Sequence, residues 1–269
     1  MKIDKLLLGK ERCECGKSHV CPIKTVEIGE GVVAKIPELL SGYKNIVFVA
    51  DGNTYRAAGK NVESLISDKI QGRIVFDGDK ILIPDERAID AITRCADSCT
   101  DLILGVGSGV INDLCKYVSF TLGIPYYIVA TAPSMDGYAS VGAALILGGM
   151  KVTKNAHVPE GIIADTDVLK EAPMDMIVAG YGDIIGKYSC LSDWKLSALI
   201  NGEYICDFVV AETYEQVNNT RKLASKLRAR DSESIKTLMQ ALVAVGILMA
   251  YVGNSRPASG SEHHFSHYF

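Results

Sequence analysis

The chain has 269 residues, 48% of them hydrophobic and 22% charged, with a net charge of −4; that is enough for one large domain or two ordinary ones. It contains no dense basic run, which argues against a nucleic-acid partner, because phosphate binding needs clustered Lys and Arg. The opening MKIDKLLLGKERCEC has too short an apolar core for a secretory signal. The longest apolar run, Ala241 to Val252, falls short of the roughly 18 apolar residues of a membrane span. A cytoplasmic protein with that run as a buried helix is expected.

In chain order, the first notable feature is Cys13, Cys15, His19 and Cys21. Its spacing is not that of paired C-x-x-C knuckles, so it reads either as a structural loop or as a zinc clip. The remaining cysteines, Cys95, Cys99, Cys115, Cys190 and Cys206, are scattered, as reduced thiols would be. Asn45 to Ala50 (NIVFVA) predicts a buried parallel strand, followed by a turn at Asp51-Gly52-Asn53. The stretch from Ser64 to Lys69 has no clear type. Arg73 to Phe76 is strand-like, and Glu86 to Ser98 has a helical pattern. Asp101 to Leu104 predicts a strand, followed by a glycine-rich turn and a helix from about Val110 to Leu122. Pro125 to Ala130 (PYYIVA) is the next strand. Such alternation implies a parallel sheet covered on both faces. Beyond Glu171-Ala172-Pro173 the pattern turns helical: Met174 to Asn201, Asp207 to Arg228 and Ser234 to Val252. The expected organisation is an α/β nucleotide-binding domain over 1–170, then an all-α domain over 171–269.

Four stretches carry candidate chemistry. Gly105-Val106-Gly107-Ser108-Gly109 lies between strand and helix, where backbone N–H groups and a helix N-terminus suit a pyrophosphate. The spacing is not G-x-G-x-x-G, so a plain tight turn is the alternative. The segment from Thr131 to Ser140 (TAPSMDGYAS) follows a strand and brings Thr131, Ser134, Ser140 and Asp136 to the sheet edge where ligands bind, unless it is an ordinary polar loop. Asp183, in Gly180-Tyr181-Gly182-Asp183, is a carboxylate within an apolar helix. Such a group is costly there unless metal-bound or paired, for instance with Lys187 one turn on. Finally, Ser261 to His267 holds three of the five histidines. His263 and His267 share one helical face, an arrangement suited to metal ligation or proton transfer, or else a His-rich terminus.

Together GVGSGVIND (105–113), TAPSMDGYAS (131–140), AGYGD (179–183) with Asp193-Trp194, and SRPASGSEHHFSH (255–267) resemble the iron-containing alcohol dehydrogenase and dehydroquinate synthase superfamily. The match is best to its sn-glycerol-1-phosphate dehydrogenase family, along nearly the whole chain. The resemblance implies a dehydroquinate synthase-like fold. It implies NAD(H) or NADP(H) held by Asp51, Gly107, Ser108, Gly109, Val110, Ile111, Asn112, Asp113, Thr131, Ser134 and Ser140. Asp183 and His263 would bind a divalent metal, zinc or nickel, and Asp136 and His267 would act on the substrate. The reaction implied is reversible reduction of dihydroxyacetone phosphate to sn-glycerol 1-phosphate, a step in phospholipid metabolism, by a homodimer. Arg256, just before the histidine helix, could add a guanidinium for the substrate phosphate, or simply belong to a helix cap. Asp51 would disfavour a 2′-phosphate and so favour NADH. The family's third metal-ligand histidine lies further along than residue 269, so a chain incomplete at its C-terminus is expected. The alternatives are a glycerol or other polyol dehydrogenase, the less closely matching dehydroquinate synthase chemistry, and an inactive dinucleotide binder.

Overall fold

In the computed structural model, which describes residues 3–268, six strands form a parallel sheet in the order β1-β8-β5-β4-β2-β3. The side chains of His264, Ser266, His267 and Tyr268 lie outside the described residues. The strands are β1 (Thr25–Gly29), β2 (Ile46–Asp51), β3 (Ile70–Phe76), β4 (Leu102–Gly107), β5 (Tyr126–Ala130) and β8 (Gly161–Asp165). Between them lies an antiparallel hairpin, β6 (Gly142–Leu147) and β7 (Met150–Asn155). β2, β4 and β5 are buried along nearly their whole length, which explains their continuous Val/Ile/Leu composition. Alternate residues feed two cores. Val47 and Val49 pack on one face, while Ile46, Phe48 and Ala50 pack on the other, as the two-residue period of a strand dictates.

The helices are α1 (Ile3–Leu7), the short α2 (Ile36–Leu39), α3 (Gly52–Thr54) and α4 (Lys60–Leu65), then α5 (Glu86–Cys95), α6 (Gly109–Leu122) and α7 (Thr166–Leu169). The helical part follows as α8 (Met174–Asn201), α9 (Asp207–Thr220), α10 (Ala224–Arg228), α11 (Ser232–Val252) and α12 (Ser261–Tyr268). α8 matches the predicted span, starting after Pro173 and ending at Gly202 in the left-handed region, as helix stops commonly do. The helix expected over 207–228 is broken at 221–223 into α9 and α10. α11 begins before the predicted Ser234 because the Asp231 side chain accepts the Ser234 N–H and caps it.

After β2 the chain crosses toward β3, whereas after β4 it crosses the opposite way to β5. β2 and β4 therefore flank a topological switch point, and the crevice beyond their carboxyl ends is where open parallel sheets bind ligands. α11 is long and apolar enough, by length and composition, to cross a membrane, yet 72% of its most apolar window is buried in the fold. It packs against α9, α8, β1 and the turn after Asp136, so the apolar run is a core helix.

Candidate active site

The glycine turn ends β4 and opens α6. Ser108 occupies the N-cap but its side chain makes no capping bond. The first N–H groups of a 14-residue helix are thus left for an anion, with the positive end of the helix dipole behind them. Asp51 ends the neighbouring strand. It accepts the N–H groups of Asn53 (2.8 Å) and Thr54 (2.9 Å), both through Oδ1.

Not every residue of the expected dinucleotide set faces this crevice. Ile111 is buried in the core and Asn112 is fully buried. The Asn112 Nδ2 lies 3.4 Å from the Gly137 carbonyl, and its Oδ1 has no partner among the described residues. Asp113 accepts the Ala144 N–H at 3.1 Å and so ties α6 to β6. The Ser140 hydroxyl donates to the Gly137 carbonyl at 3.1 Å and accepts from Lys116. These side chains hold the site's frame, and Gly107, Ser108, Gly109 and Val110 form the turn itself.

Lys116 escaped the sequence reading, because a lysine on an amphipathic helix normally points to water. Here it is fully buried. It donates to the carbonyls of Gly137 and Gly142, both at 2.8 Å, and lies 3.5 Å from Asp113. Burial pulls its pKa down against the opposing pull of Asp113. Lys116 thereby fixes the loop that carries Asp136, and Gly109 brings the glycine turn against Met135 of the same loop. In that loop the buried Thr131 takes its N–H to the Gly107 carbonyl (3.1 Å), and Ser134 hydrogen-bonds the phenol of Tyr138.

Two helices press on the loop from other sides. A Cβ at Gly180 of α8 would stand 1.9 Å from the Pro133 carbonyl oxygen, and one at Gly246 of α11 would stand 2.6 Å from that of Asp136. Only hydrogen fits at either point, so both helices approach the loop backbone directly.

The contact delivers Asp183 to Asp136. Its Oδ2 accepts the Asp136 N–H at 2.9 Å. Lys187, one turn on, reaches Asp183 at 2.5 Å and Asp136 at 2.7 Å. The ammonium is 1% exposed. Burial works against its charge, but the two carboxylates hold its pKa above the ordinary lysine value. Burial and the charge of Asp183 push the Asp136 carboxyl upward, while Lys187 and His263 pull it back. His263 therefore lies within electrostatic reach of Asp136. α12 is set on α8 by Asp193, whose Oδ2 accepts the Ser261 N–H at 2.7 Å, while the neighbouring Trp194 is buried with its indole on the Tyr204 carbonyl. Asp136 and Asp183 are brought together on Lys187, with His263 near enough to act on the charge of Asp136; the side chain of His267 lies outside the described residues.

Arg256 goes elsewhere. Its guanidinium makes a bidentate pair with Glu203, both bonds at 2.7 Å, so its charge is already matched within the protein.

Residues 27–173 match the profile of the family described as iron-containing alcohol dehydrogenase. The chain belongs to that family. Among relatives of this iron-containing alcohol dehydrogenase member, glycerol-1-phosphate dehydrogenase [NAD(P)+] of Halalkalibacterium halodurans is 36% identical over 96% of this chain and 66% of its own length. The enzyme of the same description from Methanosphaerula palustris is 34% identical over 91% of this chain and 67% of its own length. The chain thus spans about two-thirds of these curated relatives. The fold is also that of solved family structures. A glycerol dehydrogenase from Schizosaccharomyces pombe superposes with a TM-score of 0.68 at 20% identity, over 84% of this chain and 60% of that one. An iron-containing alcohol dehydrogenase from Thermococcus thioreducens gives 0.71 at 15% identity, over 85% and 66%.

Proposed function

We propose that this chain carries the cofactor and substrate machinery of a reversible, NAD(P)-dependent, metal-assisted reduction of dihydroxyacetone phosphate to sn-glycerol 1-phosphate. The observation that carries the reading is the meeting of Asp136, Asp183 and Lys187 beside the glycine turn, with His263 in electrostatic reach of Asp136, in a chain related to glycerol-1-phosphate dehydrogenases.

The donor set suits a divalent ion in part. Asp183 offers a carboxylate and His263 an imidazole, both usual ligands of zinc or nickel, although both oxygens of Asp183 already hold hydrogen bonds. Bound by Asp183 and His263, such a metal would supply Lewis-acid polarisation of the substrate's ketone oxygen, and a nicotinamide would supply the hydride. The open N-terminus of α6 at Ser108, Gly109 and Val110 would bind the pyrophosphate, with Asp51 Oδ2 on the adenosine ribose. That carboxylate would favour NADH over NADPH. Thr131 and Ser134 would border the nicotinamide side. Asp136 would hold a substrate hydroxyl, and Lys187 would keep both carboxylates oriented. His267 as proton relay rests on the resemblance and on the neutral-range titration of imidazole. A cytoplasmic homodimer belongs to the same reading. Arg256 is left out, since Glu203 already occupies it.

The test is NADH oxidation with dihydroxyacetone phosphate, dihydroxyacetone or glyceraldehyde as acceptor, in this chain and in any longer product of its gene. The phosphorylated ketone should be preferred, and Asp136→Asn should lower kcat/KM by about 100-fold or more. Equal use of the unphosphorylated ketone would redirect the reading to a polyol dehydrogenase. Full turnover in Asp183→Asn would remove the metal from the scheme.

A further inference from the structure

A second cluster of ligand-type side chains lies apart from this site. From Asp183 to Trp194, whose indole holds the Tyr204 carbonyl, α8 rises about 16 Å. Near Tyr204, the donor atoms of Cys13, Cys15, His19 and Cys206 all lie within 4.8 Å of one another. Cys13 Sγ is 3.6 Å from Cys206 Sγ, and His19 Nε2 is 3.4 Å from the sulfurs of both Cys15 and Cys206. A zinc ion in a tetrahedron of thiolates and one imidazole would set its ligands roughly 3.8 Å apart for sulfur pairs and roughly 3.6 Å for sulfur and nitrogen, from the usual bond lengths. The observed separations of 3.4 to 3.6 Å are close to these edges.

We propose that Cys13, Cys15, His19 and Cys206 bind one zinc ion as a closed, structural site that clips the N-terminal arm to the helical part.

Three features beyond proximity support it. The loop carrying the first three ligands is pre-shaped. Lys10 and His19 exchange both backbone hydrogen bonds (2.8 and 2.9 Å), and the Gly16 N–H returns to the Cys13 carbonyl at 2.9 Å. The imidazole is oriented as a metal ligand would be. His19 is 1% exposed, stacked between Tyr251 and Phe208, and its Nδ1 lies 3.2 Å from the Tyr251 carbonyl. A carbonyl can only accept, so Nδ1 carries the proton and Nε2 turns its lone pair to the sulfurs, the arrangement typical of metal-bound histidine. Of the three sulfur donors, Cys15 is prepared as a thiolate. Cys206 stands at the N-cap of α9 without a side-chain capping bond, and burial holds its pKa up at about 11. Burial opposes the Cys15 thiolate too, but bonds from Tyr204, the Lys17 backbone, Cys13 and Cys206 bring its pKa down to about 6. Lys10 and Lys17, held over the rings of Phe208 and Tyr204, bring positive charge to a site that three thiolates and one zinc ion leave negative. Four protein ligands leave no open position, so the ion is structural. Cys21, which the sequence grouped with the others, is not in the cluster; its place is taken by Cys206, 187 residues beyond His19.

The chain, expressed with added zinc and passed through a mild chelator, is assayed by elemental analysis. About one zinc per chain is expected at this site, retained in Asp183→Asn and His263→Ala and lost in Cys13→Ser and Cys206→Ser. Because those cysteine variants could fail to fold, alkylation of the unmutated protein gives a second readout. With zinc, the exposed Cys99 should label while Cys13, Cys15 and Cys206 are protected; a tight chelator should expose all three. Cobalt in place of zinc should show the strong visible bands of a tetrahedral thiolate site. Labelling that ignores zinc, zinc that follows Asp183 and His263 alone, or a Cys13–Cys206 disulfide found by mass would each overturn the proposal.

Discussion

Lys187 is the side chain on which the candidate site balances. Two carboxylates meet in a buried setting, and its ammonium lies between them. Removing one partner of such a buried group leaves uncompensated charge. Lys187→Met should therefore cost about 4 kcal/mol in urea unfolding. Adding Asp136→Asn should recover part of that loss by removing one of the two repelling charges. A double variant as unstable as the sum of the singles would mean the two do not interact. This residue also marks the limit of the sequence. The Asp183–Lys187 pair was legible as a one-turn spacing on a helix. Its third member, Asp136, was not, because nothing local links positions 136 and 187. Lys116 and Cys206 escaped for the same reason: a buried lysine looks like a surface one until its acceptors are known, and a metal-ligand set completed across 187 residues has no spacing to read.

At the scale of elements, α8 places the site. Its ends were readable because Pro173 and Gly202 bracket a long apolar pattern. β1, β8 and the β6–β7 hairpin were not read; β8 is buried but only five residues long. β1 is a short edge strand that is mostly half-exposed, and β7 is mostly exposed and polar, so neither carries the apolar run that revealed β2, β4 and β5. Within α8, neighbouring glycines should behave oppositely. Gly180→Ala forces a methyl into the Pro133 carbonyl and should destabilise by about 3 kcal/mol, as overpacking does. At Gly182 a Cβ meets nothing within 4 Å, so Gly182→Ala should stabilise the helix by about 1 kcal/mol. Denaturation of the two variants side by side checks both signs.

The seating of α12 belongs to this scale as well. Hydrogen bonds from the Ser261 backbone and side chain hold Asp193 below the usual aspartate range. A carboxyl depressed on folding contributes above its unfolded pKa and loses that contribution as the pH falls through the folded value. Asp193→Ala should thus speed amide exchange at Ser261 near neutrality. The difference from wild type should vanish below the ordinary aspartate range. A difference that persists in acid would assign the anchoring to another contact.

For the whole molecule, the larger core is continuous. It runs from Val47, Ile103 and Ile128 of the sheet through Leu114 of α6 to Trp194, Leu242 and Val245 of the helical part. Trp194 is the single tryptophan and is fully buried, so its fluorescence reports on the helices, while circular dichroism averages over everything. With one shared core, the two signals should follow one transition in urea. Separate midpoints would show two units that melt independently.

The N-terminal arm has a surface made by residues far along the chain. Leu6 is buried and its carbonyl accepts the Tyr251 hydroxyl, while His19 meets the Tyr251 carbonyl and Cys206. During synthesis the segment from Leu6 to His19 leaves the ribosome long before Tyr251 is translated, so it must stay undocked, thiols uncovered, while the intervening chain is made. The arm thus waits for a docking surface made 232 residues after His19.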